Sequence, residues 1–328
     1  MTAVLEDPLR AARMAVERGR FGEARALLDT LPPGVRRLPE WQLLAAMTRW
    51  RLGEFGPSQA AALQARDAYR AAGDTDGEMR AENVAAAGAF ALGRLREAEN
   101  GFARALELAE RMDDLLMMAR CANNLGNVAF YLGRHDAALA QYRLARARFH
   151  KINARHGETE ALINMGLVFQ DQGRAEDARE AADAALDLAE AIQSRRLVAQ
   201  ALAMRGDAVA AGGDAAVGRV LVDRALLLAR AEQDQLAEIE ALRLLGNIDR
   251  ERGRLATART HAEEALAVAR QVGHPWAVAT VLRDLAQTYR RSRKADRARD
   301  ALREASRLLA AMGASERAEA LAAKATLQ

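Results

Sequence analysis

Apolar and small residues along the chain fall at spacings of three and four, the period of one face of a helix. The stretch from Ala119 to Glu158 shows the pattern most fully and reads as two helices. The first carries Leu125-Gly126-Asn127 and ends at Gly133; the second starts after His135 and places small or aromatic residues at Ala138, Tyr142 and Ala145. The same pattern returns every forty residues. Glycine recurs at Gly53, Gly93, Gly133, Gly173, Gly213 and Gly253, and alanine at Ala65, Ala105, Ala145, Ala185, Ala225, Ala265 and Ala305. A second glycine series runs Gly126, Gly166, Gly206, Gly246, with leucine at Leu162, Leu202, Leu242 and Leu282. Several registers held in phase over six periods define a repeat protein, whose stacked helix pairs predict an all-α solenoid.

The repeats run 39–78, 79–118, 119–158, 159–198, 199–238, 239–278 and 279–314, as one solenoid. A shorter unit at 1–35, closed by Pro32-Pro33, caps one end, and a helix within 315–328 caps the other. The turn between the two helices of a repeat takes glycine, which is free of side-chain constraint; the last repeat has Arg293 there instead. Glycine inside the first helix costs about 1 kcal/mol of propensity against alanine. The expected return is close approach of the second helix through the periodic alanines at 145, 185, 225 and 265.

Composition narrows the function classes. Aromatics make up only 4% of the chain, which suits many thin helix–helix contacts, and a net charge of +3 among 48 basic and 45 acidic side chains selects no partner class. The single cysteine, Cys121, forms no disulfide framework and reads as a small buried thiol. No apolar run reaches signal-peptide or membrane-span length, so a cytoplasmic protein without membrane contact is expected. The five histidines have no metal-ligand spacing, and no phosphate-binding glycine loop is present. The chain therefore reads as a non-enzyme with no cofactor and no metal.

The unit NNLGNVAFYLGRHDAALAQYRLA resembles the tetratricopeptide repeat, in a forty-residue variant similar to those of kinesin light chains, Pins-type adaptors and bacterial signalling-peptide receptors. The resemblance covers essentially the whole chain. It implies a right-handed superhelix of antiparallel helix pairs with a concave groove that binds a peptide or protein.

Which residues line that groove follows from the helical register. Positions 4, 7, 8 and 11 of each first helix carry the Leu, Gly and apolar signature and form the packing side, leaving positions 2, 5, 9 and 12 for the groove. Reading this stripe gives Trp50, Asn83, Phe90, Arg120, Asn123, Asn127 and Phe130 toward the N-terminus, and Arg243, Asn247, Arg250, Arg283 and Arg290 toward the C-terminus. Asn124 and Asn164 match groove asparagines of the kinesin-light-chain and Pins-type repeats. Asparagine pairs with any peptide backbone, arginine forks onto carboxylates or phosphates, and aromatics give anchor pockets. Alternatively, the aromatics pack between neighbouring helices and the arginines pair with Glu240, Glu251 and Asp284.

The expected function is a non-catalytic scaffold or adaptor for a peptide or protein ligand, including one with an acidic segment; the oligomeric state is left open. The alternative is a bacterial signalling or transcriptional regulator module, although no segment outside the repeats has room for a helix-turn-helix. Nucleic-acid binding through YRRSRKADRAR is disfavoured by its interleaved aspartates and its single aromatic, Tyr289.

Overall fold

The computed structural model describes residues 7–326. The first six residues of the N-terminal cap and the last two of the C-terminal cap lie outside them. Among the described residues every regular element is a helix, and the chain divides into two compact units, one up to Met117 and one from Met118.

The N-terminal unit contains α1 (Arg10–Glu17), α2 (Phe21–Thr30), the single turn α3 (Pro33–Arg36), α4 (Pro39–Arg51), α5 (Phe55–Ala72), α6 (Thr75–Ala91) and α7 (Leu95–Arg111). Its joints are polar as well as apolar. Glu82, almost fully buried, accepts hydrogen bonds from Nε and Nη2 of Arg104 at 3.0 and 2.7 Å. Gln59, also buried, donates to Glu97 and accepts from Arg94.

The C-terminal unit carries the regular repeats. Its helices are α8 (Leu115–Tyr131), α9 (His135–Lys151), α10 (Arg155–Asp171), α11 (Ala175–Ala191), α12 (Arg195–Ala211), α13 (Ala215–Ala231), α14 (Gln235–Glu251), α15 (Leu255–Val272), α16 (Pro275–Arg291), α17 (Ala295–Ala311) and α18 (Ser315–Thr326). Each helix pair starts four residues before the boundary expected from sequence: α10 opens at Arg155 and the repeat was drawn from 159. Capping side chains mark the early start of several pairs, though Ala154 before α10 supplies none. Side chains of Ser194, Asp234 and His274 accept from amides three residues on and start α12, α14 and α16 where the apolar pattern has not yet begun. Successive helices pack as antiparallel neighbours, and α10, α12, α14 and α16 also pack on one another in series. This second set of contacts puts the even-numbered helices on the tighter, inner side of the unit.

Two glycine positions work differently from one another. The turn glycines, such as Gly133 (φ +83) and Gly253 (φ +77), sit in the left-handed region. Arg293 adopts that conformation too, at φ +56, and so do Asn153, Gln193 and Gln233 in the turns between repeats. Turn geometry is thus imposed by the stack, at a cost of roughly 1–2 kcal/mol per non-glycine residue.

The helix-interior glycines do allow close approach, but the periodic alanines are not what they face. A Cβ at Gly126 would lie 2.5 Å from the Tyr142 ring, one at Gly206 would lie 2.6 Å from Val222, and one at Gly246 would lie 3.2 Å from the Ala258 carbonyl. Gly166 makes room for Met204 of the next repeat. The alanines pack one turn further along: Ala145 sits with Ala119, Ala122, Phe149 and Ala161.

Gly126→Ala should therefore destabilise the protein by about 1–3 kcal/mol in urea denaturation, because the Tyr142 ring has to move. Gly56→Ala, where the added carbon meets nothing within 4 Å, should leave stability unchanged or raised. Arg293→Gly should raise it by about 1 kcal/mol.

Candidate functional site

The inner-face register predicts which side chains point together, and in the C-terminal unit the structure shows what they do. Arg243, Asn247 and Arg250 lie at i, i+4 and i+7 on α14 and converge on one residue of α16, the buried Asp284. Asp284 Oδ2 accepts from Arg243 Nη1 at 2.7 Å and from Asn247 Nδ2 at 3.1 Å, and Oδ1 accepts from Arg283 Nε at 2.9 Å. Arg243 also forks onto Glu240 at 2.9 and 2.6 Å. Arg250 donates to Asn247 Oδ1 and to Glu251, and is 7% exposed. The stripe is geometrically real, but here it forms a joint between repeats. Of the five basic or amide groups expected toward the C-terminal end, Arg290 stands exposed and the other four are bound within the chain.

The electrostatics follow from this joint. Burial alone would raise the Asp284 carboxyl; the adjacent Arg283 and Arg243 guanidiniums outweigh it and hold the group well below the usual carboxylate range. Asp207, at position 9 one repeat earlier, has no such partner. Burial pushes its carboxyl up to about 6, opposed by Arg243 and reinforced by Glu240 and Asp284.

The asparagines are likewise engaged. Asn164 Nδ2 donates to Asn123 Oδ1 at 3.1 Å, joining α10 to α8, and the Tyr142 hydroxyl donates to Asn127 Oδ1 at 2.8 Å. Asn123 is buried, Asn124, Asn127 and Asn164 are half-buried, and Arg120 is exposed. In the N-terminal unit, Asn83 and Phe90 are half-buried. Trp50 meets Phe55 edge-on at 6.4 Å, with the Arg51 guanidinium 5.1 Å over its ring.

Phe130 belongs to a cluster that the sequence did not reveal. Its ring is 6.0 Å from that of Trp276 on α16, and Trp276 in turn stacks on Tyr131 at 4.0 Å and 12°. The Arg317 guanidinium of α18 lies over both Phe130 (5.4 Å) and Trp276 (5.2 Å). Its Nη2 donates to the Phe130 carbonyl at 3.0 Å and to Asp171 Oδ2 at 2.7 Å. His135 Nε2 stands 2.8 Å from the same Asp171 oxygen. An ionised carboxylate only accepts, so His135 carries the proton on Nε2 in this contact. Burial would raise the Asp171 carboxyl, but the Arg317 charge and the hydrogen bonds from Arg317 and His135 keep it below its ordinary value. Arg317 Nε is buried and makes no hydrogen bond.

Arg317 and Phe130 are 187 residues apart, and no repeat register links them. Trp276 was legible only as the residue after a helix-opening proline, and His135 only as a turn residue. Among the described residues no group of His, Cys, Asp or Glu could hold a metal ion, and no helix is long and apolar enough to cross a membrane.

A solenoid of paired helices with glycine-mediated packing and a polar inner face defines the class. The tetratricopeptide repeat family model matches residues 77–151 and 237–311, and these two stretches are tetratricopeptide repeats. One curated relative, the regulatory protein AfsR of Streptomyces griseus, is 33% identical over 127 residues; the match takes in 38% of this chain and 13% of that protein's length. Among solved structures, NprR in complex with its cognate peptide NprX superposes with a TM-score of 0.69 at 12% identity, covering 100% of this chain and 99% of that one. The apo form of RapI superposes with a TM-score of 0.67 at 14% identity, covering 81% and 97%. At such identities the likeness establishes the fold.

Two stability measurements test the electrostatics of the inner face. Asp207 titrates near 6 when folded and near 4 when unfolded, so its proton stabilises the native state. That contribution is complete below about pH 4 and is lost as pH rises through about 6. Asp207→Asn should thus equal the wild type near pH 4 and exceed its stability at pH 8, by on the order of 1 kcal/mol because the side chain keeps some solvent contact. Asp284→Ala, which removes the acceptor shared by Arg243, Asn247 and Arg283 but leaves Arg243 paired with Glu240, should cost about 1–3 kcal/mol at pH 7.

Proposed function

We propose that the chain is a non-catalytic, peptide-binding regulatory module, and that its ligand lies along the inner helix face of the C-terminal unit. The observation that carries this reading is the division of labour on the even-numbered helices. Their apolar positions are buried in the stack, while the inner register still presents Arg120, Asn127, Phe130, Gln170 and Arg290 at least partly to solvent. Arginine and amide groups of this kind bind peptide carboxylates and backbone, and an aromatic supplies an anchor. The expected acidic part of the ligand belongs with Arg120 and Arg290, since Arg243 and Arg250 already have partners.

Two likenesses support the regulatory half of the proposal. The curated relative is a regulatory protein, and a structure of the same fold was solved with a cognate peptide. A module of this kind acts by coupling ligand binding to an effector, either a partner protein or another part of a longer polypeptide. The relative is much longer than the matched segment, which favours the second arrangement.

The test is selection of ligands from a random peptide display library on the purified chain, followed by titration of the selected peptides against Arg120→Glu, Arg290→Glu and the double variant. A ligand held by these charges should lose roughly 2 kcal/mol, or about thirtyfold in Kd, per site. Far-ultraviolet circular dichroism should remain unchanged, because both side chains are exposed. Peptides that bind all three variants as tightly as the wild type would place the ligand elsewhere.

A further inference from the structure

The contact made by Arg317 has the composition of a ligand site and not that of a helix–helix core. A guanidinium sits over two aromatic rings, Phe130 and Trp276, and donates to a carboxylate and a backbone carbonyl. Ring faces attract cations through their quadrupole, and the attraction strengthens on desolvation. The surroundings reinforce it. The Phe130 carbonyl belongs to the last turn of α8, and Asp171 is the final residue of α10, so two helix C-termini with their partial negative charge meet at the cation. Tyr131, stacked on Trp276, holds that indole in place. His135 bonds the same carboxylate oxygen and orients it.

Two features mark Arg317 as a replaceable occupant. It arrives from α18, a helix of 12 residues, 146 residues from Asp171 and 187 from Phe130. It also leaves Nε buried without a hydrogen bond, and its Nη2 lies 3.2 Å from His135 Nε2, itself a donor toward Asp171, so its donors are imperfectly matched to the site. A guanidinium entering from a different direction could use that donor.

We propose that Phe130, Trp276 and Asp171 form a guanidinium-recognition site that the chain closes on itself with Arg317. An arginine-bearing segment docks there only by displacing Arg317 and releasing α18. This rests on the reading of the inner face of the C-terminal unit as a peptide site, and adds two things to it: an arginine in the ligand, and the undocking of the last helix as the consequence of binding. Internal occupancy reduces the apparent affinity for any external arginine by the ratio of closed to open states. Removing Arg317 lifts that competition.

The site can be read without a cognate ligand. The full chain is labelled with 5-fluorotryptophan, and the Trp276 fluorine resonance is identified by its loss in Trp276→Phe. N-acetyl-arginine-N-methylamide is then titrated, with the lysine and citrulline analogues as controls. In Arg317→Ala the arginine probe should shift the Trp276 resonance saturably, the citrulline analogue should not, and adding Asp171→Asn should abolish the shift. The wild type should need at least tenfold more probe for half-saturation, and amide hydrogen exchange in α18 should accelerate as it saturates. Should Arg317→Ala lower helicity, Arg317→Gln, which keeps the aliphatic stem packed, takes its place.

An absent shift in the open variant, an equal shift with Asp171→Asn, or a wild type as responsive as the open variant would overturn the proposal. The probe is a single amino acid derivative, so such a result would leave the peptide reading intact, to be decided by the Arg120 and Arg290 variants.

Discussion

The structure depends on how closely two helices can approach when one of them lacks a side chain at the crossing point. Gly126, Gly206 and Gly246 stand where a single added carbon would meet the neighbouring helix at van der Waals overlap or its edge. Backbone surfaces packed this tightly let thin, alanine-rich helices bury a continuous core. The same core runs from α10 to α18 as a single cluster of buried residues. With aromatics at 4% of the chain, the volume of that core is supplied mainly by leucine, isoleucine, valine and alanine.

Polar joints complete what the small residues begin. Asp284 takes three side chains from two helices, and Asn123 with Asn164 bridges α8 to α10. These joints lie on the inner side, where the even-numbered helices meet in series. They therefore fix the spacing of the surface that would receive a ligand, and they remove several arginines and amides from that surface. The inner face is left with fewer free charges than its composition implies.

At Phe130 the same face is met by α18. An aromatic pair, a carboxylate and a helix-end carbonyl hold a cation supplied by the chain's own terminal helix. A partly solvent-exposed inner face and the helix α18 are thus joined by one side chain. That is the arrangement a regulatory module needs if ligand binding is to have a structural consequence.

By itself the sequence determined the helical repeat, its forty-residue period and the turn glycines, because these depend on local geometry repeated in register. It also determined the inner stripe: Arg243, Asn247 and Arg250 do point the same way. What they point at was decided by tertiary structure, since Asp284 comes from the next repeat and either burying or exposing it satisfies the same helical spacing. The partners of the interior glycines were misread for a related reason. Periodicity locates Ala145 and Tyr142 equally well, and only the crossing geometry of α8 and α9 selects Tyr142. The cluster of Arg317, Trp276, Asp171 and His135 was illegible altogether. Its members come from four helices at unrelated repeat positions, and only the stacking of the C-terminal repeats brings them into contact.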